Sequence, residues 1–128
     1  MAEQARQTVA VVDDDSRIRE SIESLLDSAG YNASLFRSAE EFLQSAEVAE
    51  TTCLITDVRM PGMDGLELQR RVRQKRPRLP IIFISAHCDD EIRQRALDQG
   101  AIGFLYKPFD GADLLSTIGP ALNQTDDF

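Results

Sequence analysis

Four places in this chain hold groups that could do chemistry together: the acidic run Asp13-Asp14-Asp15, then Asp57, Ser85, and Lys107 followed by Pro108. Carboxylates brought close together repel, and at least one is driven to protonate. A hard divalent cation removes that conflict, and Mg²⁺ prefers one or two carboxylates together with waters and phosphate oxygens. With the cation present Asp57 stays ionised and can attack phosphorus, as carboxylates do when enzymes form acyl phosphates. A transferred phosphoryl group spreads its charge over three equatorial oxygens. The cation, the Lys107 ammonium, and the Ser85 hydroxyl with a nearby backbone N–H could take one each. Taken singly, these residues are ordinary: an Asp after a strand is commonly a helix cap, which is the reading for Asp15, and a Ser or a Lys-Pro there commonly just ends the strand.

What makes them a set is the framework that positions them. Five short segments read as strands, Thr8 to Val12, Ala33 to Phe36, Cys53 to Thr56, Ile81 to Ile84 and Gly103 to Tyr106, and they are almost continuously apolar. Such runs suit strands covered on both faces, as in a parallel sheet. Helical spacing fills the intervals. Ile18, Ile22, Leu25, Leu26 and Ala29 precede a stop at Gly30. Ser38 and Glu41 form a capping-box pattern before Phe42, Leu43 and Ala46, and Asp64 with Glu67 forms another before Leu68 and Val72, closed by Pro77. Asp89 to Gln99 is a weaker helix, and Asp110 can cap a last one carrying Leu114, Leu115, Ile118 and Leu122. A βα unit repeated five times predicts a doubly wound α/β fold with five helices. Ligands of such folds bind beyond the carboxyl ends of the strands. Four strands deliver Asp13-Asp14-Asp15, Asp57, Ser85 and Lys107 to that one edge; the second, ending at Phe36 and Arg37, offers nothing evident.

Composition narrows the function classes. The chain has 128 residues, 42% hydrophobic and 28% charged, which fits one globular domain. Its net charge of −8 argues against binding nucleic acid directly. No apolar run approaches a membrane span, and Met1 to Gln4 does not open a signal peptide, so a cytoplasmic protein is expected. Cys53 and Cys88 form no CxxC and are expected as free thiols. The basic residues Arg70, Arg71, Arg73, Lys75, Arg76 and Arg78 read as a solvated helix face that balances an acidic protein.

The segments Val11-Val12-Asp13-Asp14-Asp15, Asp57-Val58-Arg59-Met60-Pro61-Gly62-Met63-Asp64-Gly65, Ser85-Ala86 and Lys107-Pro108-Phe109 resemble the receiver domain of bacterial two-component response regulators. The resemblance covers residues 7 to 122, leaving 1–6 as an N-terminal extension and 123–128 as an acidic tail. It implies a flavodoxin-like sheet of strand order 2-1-3-4-5. It implies that Asp57 accepts a phosphoryl group from a sensor histidine kinase or phosphotransfer protein, with intrinsic phosphoryl uptake and loss but no separate enzymatic role. The implied cofactor is Mg²⁺ (or Mn²⁺), with Asp14 and Asp57 as ligands, Asp13 acting through water, and the Arg59 backbone carbonyl completing the set. Ser85, Ala86 and Lys107 would contact the phosphoryl group, and the Lys107–Pro108 bond would be cis. Ser85 and Phe104 would form the switch, changing the surface of the fourth helix, fifth strand and fifth helix; Phe104 lacks a tyrosine hydroxyl, so any rotamer change rests on packing. Arg59 and His87 flank the phosphoryl position and are expected to tune its lifetime, His87 as a pH-sensitive neighbour.

The expected partners are a downstream target or an output domain outside this chain, and a second copy in a phosphorylation-dependent homodimer. A single-domain regulator is the simplest form, with a receiver cut from a longer transcription regulator and a receiver-like interaction domain that is never phosphorylated as alternatives. A phosphatase of the haloacid-dehalogenase type would need an Asp where Arg59 stands, and neither GxGxxG nor GxxxxGK[ST] is present for a nucleotide.

Overall fold

The computed structural model describes residues 7–124, with side chains through Leu122. The strands are β1 (Thr8–Val12), β2 (Asn32–Phe36), β3 (Cys53–Asp57), β4 (Ile81–Ser85) and β5 (Gly103–Tyr106), and the helices are α1 (Ser16–Ser28), α2 (Ala39–Leu43), α3 (Glu47–Glu50), α4 (Gly65–Lys75), α5 (Asp90–Asp98) and α6 (Gly111–Gln124). All strand pairs are parallel, in the order β2-β1-β3-β4-β5. The expected extension 1–6 and residues 125–128 of the expected tail lie outside the described residues; Asn123 and Gln124 belong to α6.

Alternation along each strand explains the continuous apolar runs. Ala10, Val12, Leu54 and Phe83 face one way, into a cluster with Phe42 of α2, Val48 of α3, Leu68 and Val72 of α4 and Ala96 of α5. Val9, Val11, Ile55, Ile82 and Ile84 face the other way, against Ile22 and Leu26 of α1 and Leu114 and Ile118 of α6. In the central strands β1, β3 and β4 neither face sees water, so they gain nothing from polar residues at alternate positions. The edge strand β5 is only half-buried.

The sheet and its order are as expected, but there are six helices rather than five. The expected second helix breaks after Leu43, where the Ser45 side chain bonds the neighbouring backbone: its hydroxyl donates to the Phe42 carbonyl (2.7 Å) and accepts from the Glu47 N–H (3.2 Å). A serine offering the chain such local partners competes with a continuous helix. Ala46 therefore lies between α2 and α3 as an N-cap.

The caps follow the sequence with one displacement. The side chains of Asp15, Ser38, Asp64 and Asp89 accept backbone N–H groups at the starts of α1, α2, α4 and α5. Glu41 reaches back one residue further than a capping box requires, to the Arg37 N–H at 2.7 Å. The basic run is not a uniform solvated face. Arg70 and Arg71 pair with Glu67, while Arg73 donates to the Leu79 and Gly100 carbonyls and Arg76 to those of Val48 and Thr51. Two of these arginines thus tie the end of α4 to backbone carbonyls of other chain segments. Among the described residues no helix is long and apolar enough to cross a membrane.

Candidate functional site

The register aligns the strand ends. Val12 pairs with Phe36 and Thr56, Asp57 with Ile84, and Ser85 with Tyr106, so the residues that follow emerge side by side. Asp13 leaves β1 fully buried. Its N–H donates to the Phe36 carbonyl (3.1 Å), its Oδ1 accepts from the Asp15 N–H (2.9 Å), and its carbonyl accepts from Arg19 (2.7 Å). The end of β2 therefore does contribute, by holding the Asp13 backbone. Asp57 is buried at the end of β3, with Oδ1 accepting the Val58 N–H at 2.8 Å.

Lys107 joins these two carboxylates. Its Nζ lies 3.0 Å from Asp13 Oδ2 and 3.3 Å from Asp57 Oδ2, with its side chain only 16% exposed. The Lys107 N–H also donates to the Ser85 carbonyl (2.7 Å), and the Lys107–Pro108 bond is cis. Exposed Asp14 completes the group: ligand oxygens of Asp13, Asp14 and Asp57 all lie within 4.8 Å of one another.

The charges do not balance. Three carboxylates face one ammonium. Burial, joined by the Asp13 charge, pushes the Asp57 carboxyl above its ordinary range despite the pull of Lys107. Burial works to lower the Lys107 pKa, but its bonds and charges to Asp13 and Asp57 outweigh that and raise it. Hard oxygen donors with a deficit of about two positive charges fit a divalent cation such as Mg²⁺.

The loop after β3 closes the site from the side. Gly65 opens α4 directly over the Asp57 backbone: its N–H donates to the Val58 carbonyl (2.8 Å), and a Cβ there would overlap the Asp57 carbonyl oxygen. Arg59, exposed in this loop, directs its guanidinium toward Asp89 at the N-terminus of α5, 3.9 Å away. Ser85 is buried, but its hydroxyl is engaged with its own loop. It donates to the His87 carbonyl and accepts the His87 N–H, both at 3.1 Å. Ala86 and His87 are exposed. Phe104 of β5 stacks on Phe83 (centroids 5.9 Å apart) and meets Tyr106 edge-on (5.4 Å).

The structure thus gathers Asp13, Asp14, Asp57 and Lys107, sets Ser85 beside them in register, and leaves the Arg59 and His87 side chains in the surrounding loops. Arg19, Asp89 and Glu40, whose Oε2 accepts the Met63 N–H at 3.0 Å, went unnoticed in the sequence. Asp89 was read only as the start of a weak helix; Glu40 carried no signal because it acts on a backbone N–H 23 residues away, and Arg19 carried none although the carbonyl it reaches lies only six residues back.

Comparison with known proteins agrees with this geometry. The family model for the response regulator receiver domain matches residues 9–119. The chain belongs to the response regulator receiver family. It is 38% identical over 118 residues to the transcriptional regulatory protein FixJ of Bradyrhizobium diazoefficiens, covering 92% of this chain and 58% of FixJ. It is 43% identical over 114 residues to the response regulator protein TmoT of Ectopseudomonas mendocina, covering 89% and 52% respectively. Among solved structures, the chemotaxis protein CheY4 of Vibrio cholerae superimposes with a TM-score of 0.84 at 33% identity, covering 91% of this chain and 99% of CheY4. This receiver chain therefore spans little more than half the length of the two curated relatives and nearly all of the chemotaxis protein. Receivers are signalling domains, and the bacterial two-component pathway is the setting of this family.

Proposed function

We propose that this receiver is a working phosphoacceptor: Asp57 takes a phosphoryl group, with Mg²⁺ or Mn²⁺ bound, from the phosphohistidine of a sensor kinase or phosphotransfer protein. The observation that carries the reading is Lys107 held between the buried Asp13 and Asp57, with Asp14 within ligand distance of both. Asp13, Asp14, Asp57 and the Arg59 carbonyl would hold the cation, Asp13 through water. When bound, the cation offsets the carboxylate charges and one phosphoryl oxygen. Asp57 supplies the attacking oxygen: an O–P bond forms as the N–P bond of the donor breaks, and the departing imidazole keeps that electron pair and takes up a proton. Lys107 moves its charge toward a second phosphoryl oxygen, and the Ser85 hydroxyl with the Ala86 N–H takes the third.

The same step supplies the switch. To reach the phosphoryl group Ser85 gives up its two bonds to the His87 backbone, and Phe104 moves into the space vacated. The surface formed by α5, β5 and α6 (the fourth helix, fifth strand and fifth helix of the five-helix expectation) then changes. This is a shift between two packings biased by new charge and hydrogen bonds. The output is a target protein, an attached domain in a longer regulator, or a phosphorylation-dependent homodimer, in the cytoplasm. FixJ, named a transcriptional regulatory protein, supports the attached-domain form. Arg59 and His87 tune the lifetime by shaping the approach of water. Arg59→Ala changes the aspartyl-phosphate half-life, and equal half-lives refute that role.

The test is intact mass after incubation with acetyl phosphate and Mg²⁺. The wild type gains about 80 Da, one phosphoryl group, and Asp57→Asn gains nothing. Prior EDTA abolishes the gain. A gain on both proteins rejects Asp57 as the acceptor, and a gain on neither, also with a phosphorylated donor kinase, rejects phosphoacceptance.

A further inference from the structure

The proposed metal site depends on a backbone carbonyl, that of Arg59, in a loop whose shape must be held from outside. The loop is anchored at its two ends, where the Val58 N–H meets the Asp57 carboxylate and the Gly65 N–H meets the Val58 carbonyl. Between those ends, among the described residues, one hydrogen bond ties residues 59–63 to another element. Glu40, in the first turn of α2, accepts the Met63 N–H on Oε2 at 3.0 Å. The contact is close-fitting. Gly62 has φ +80°, and a Cβ there would stand 2.7 Å from Glu40 Oε2. The bond to Met63 is the foremost cause holding the Glu40 carboxyl below its ordinary range, followed by its own backbone N–H, with the Arg71 charge adding to the effect.

We infer that Glu40 is a positioning residue for cation binding: its carboxylate latches the loop after β3 to α2 and so fixes where the Arg59 carbonyl points. The inference rests on the proposed metal site. Groups that orient ligands without touching the metal commonly govern affinity as strongly as some ligands do. A backbone carbonyl has no rotamer of its own, so its direction is set only by the loop that carries it.

The test compares direct binding of Mg²⁺ by isothermal titration calorimetry, with Mn²⁺ binding by electron paramagnetic resonance as a second readout. The proteins are wild type, Asp14→Asn, Glu40→Ala and Glu40→Gln. Glu40→Gln keeps an oxygen that can accept the Met63 N–H and loses the charge. The expected result is weakening of about tenfold for Glu40→Ala, near wild-type affinity for Glu40→Gln, and faster exchange of the Met63 amide hydrogen in Glu40→Ala alone. Equal binding by Glu40→Ala and wild type overturns the inference and leaves the metal site standing. Equal losses in Glu40→Ala and Glu40→Gln assign the effect to charge and overturn positioning. No binding by the wild type overturns the metal site itself, and the inference with it.

Discussion

Replacing Asp57, the proposed phosphoacceptor, by asparagine is expected to stabilise the metal-free protein. At an effective dielectric constant of about 20, the Lys107 ammonium 3.3 Å away attracts the Asp57 carboxylate by about 5 kcal/mol. Asp13 and Asp14, within 4.8 Å, each repel it by about 3.5 kcal/mol, less for Asp14 because it is exposed. The charges nearly cancel with a small excess of repulsion, and the cost of burying a carboxylate adds to it, in keeping with the raised pKa of Asp57. Removing the charge is therefore worth about 1–2 kcal/mol, or about 3–10 °C in Tm for a domain of this size. The pH dependence has a definite sign. Below its unfolded pKa the carboxyl is protonated in both states and costs nothing. As the pH rises through its raised folded value, the folded state must part with a proton that it holds more tightly than the unfolded chain does. The advantage of Asp57→Asn is thus full at neutral pH and fades in acid. Thermal unfolding by circular dichroism in EDTA, at pH 7 and at about pH 3, below the ordinary Asp value of about 3.9, measures both. Saturating Mg²⁺ should raise the wild-type Tm more than that of the variant. An equal or lower Tm for Asp57→Asn at pH 7, or a gain that persists unchanged in acid, refutes the reasoning.

Lys107→Met removes the one ammonium between two buried carboxylates and lowers stability by about 2–4 kcal/mol; urea unfolding at neutral pH measures it, and Asp13→Asn in the same chain should recover part of the loss. Gly65→Ala places a methyl group onto the Asp57 carbonyl oxygen, forcing α4 away from β3 at a cost of about 3 kcal/mol; a Tm within a degree or two of wild type would show that the helix start yields freely. Gln69 is fully buried on α4, with Nε2 bonded to the Ala96 carbonyl (3.0 Å) and Oε1 without a partner. Because that carbonyl also accepts the Ala101 N–H, Gln69→Leu leaves it satisfied and should be neutral or stabilising by up to about 1 kcal/mol in urea unfolding.

What the sequence made legible divides by the range of the interaction. The parallel sheet and the convergence of Asp13, Asp57, Ser85 and Lys107 could be anticipated because strand ends are marked by abrupt changes from apolar to polar residues, and a parallel sheet must bring those ends to one edge; the strand order itself followed only from the resemblance to receiver domains. The caps at Asp15, Ser38 and Asp64 are local, and so were readable. Arg73 and Arg76 were not. In the sequence they are indistinguishable from Arg70 and Arg71, and only the tertiary fold brings carbonyls of residues 48, 51, 79 and 100 within their reach. The break in the second helix lay between these extremes. Ser45 was visible, but its effect depends on a side-chain geometry that competes with helix continuation by a small margin.

Ser85 is where the two kinds of information meet. Its position at the end of β4 was readable, and burial fits a residue that faces the edge of the core. Its hydroxyl, however, is satisfied by the His87 backbone as both donor and acceptor. A buried hydroxyl without partners costs more than one hydrogen bond returns, so the resting arrangement is held until a better acceptor comes within reach. A phosphoryl oxygen carrying negative charge is such an acceptor, since charge-assisted hydrogen bonds are about twice as strong as neutral ones. The strand end thus holds Ser85 in register beside Asp57 and Lys107, while two ordinary hydrogen bonds keep its hydroxyl turned toward the loop. The proposed switch needs only that difference in bond strength, together with the packing of Phe104 on β5 against Phe83 of β4 and Tyr106 of its own strand.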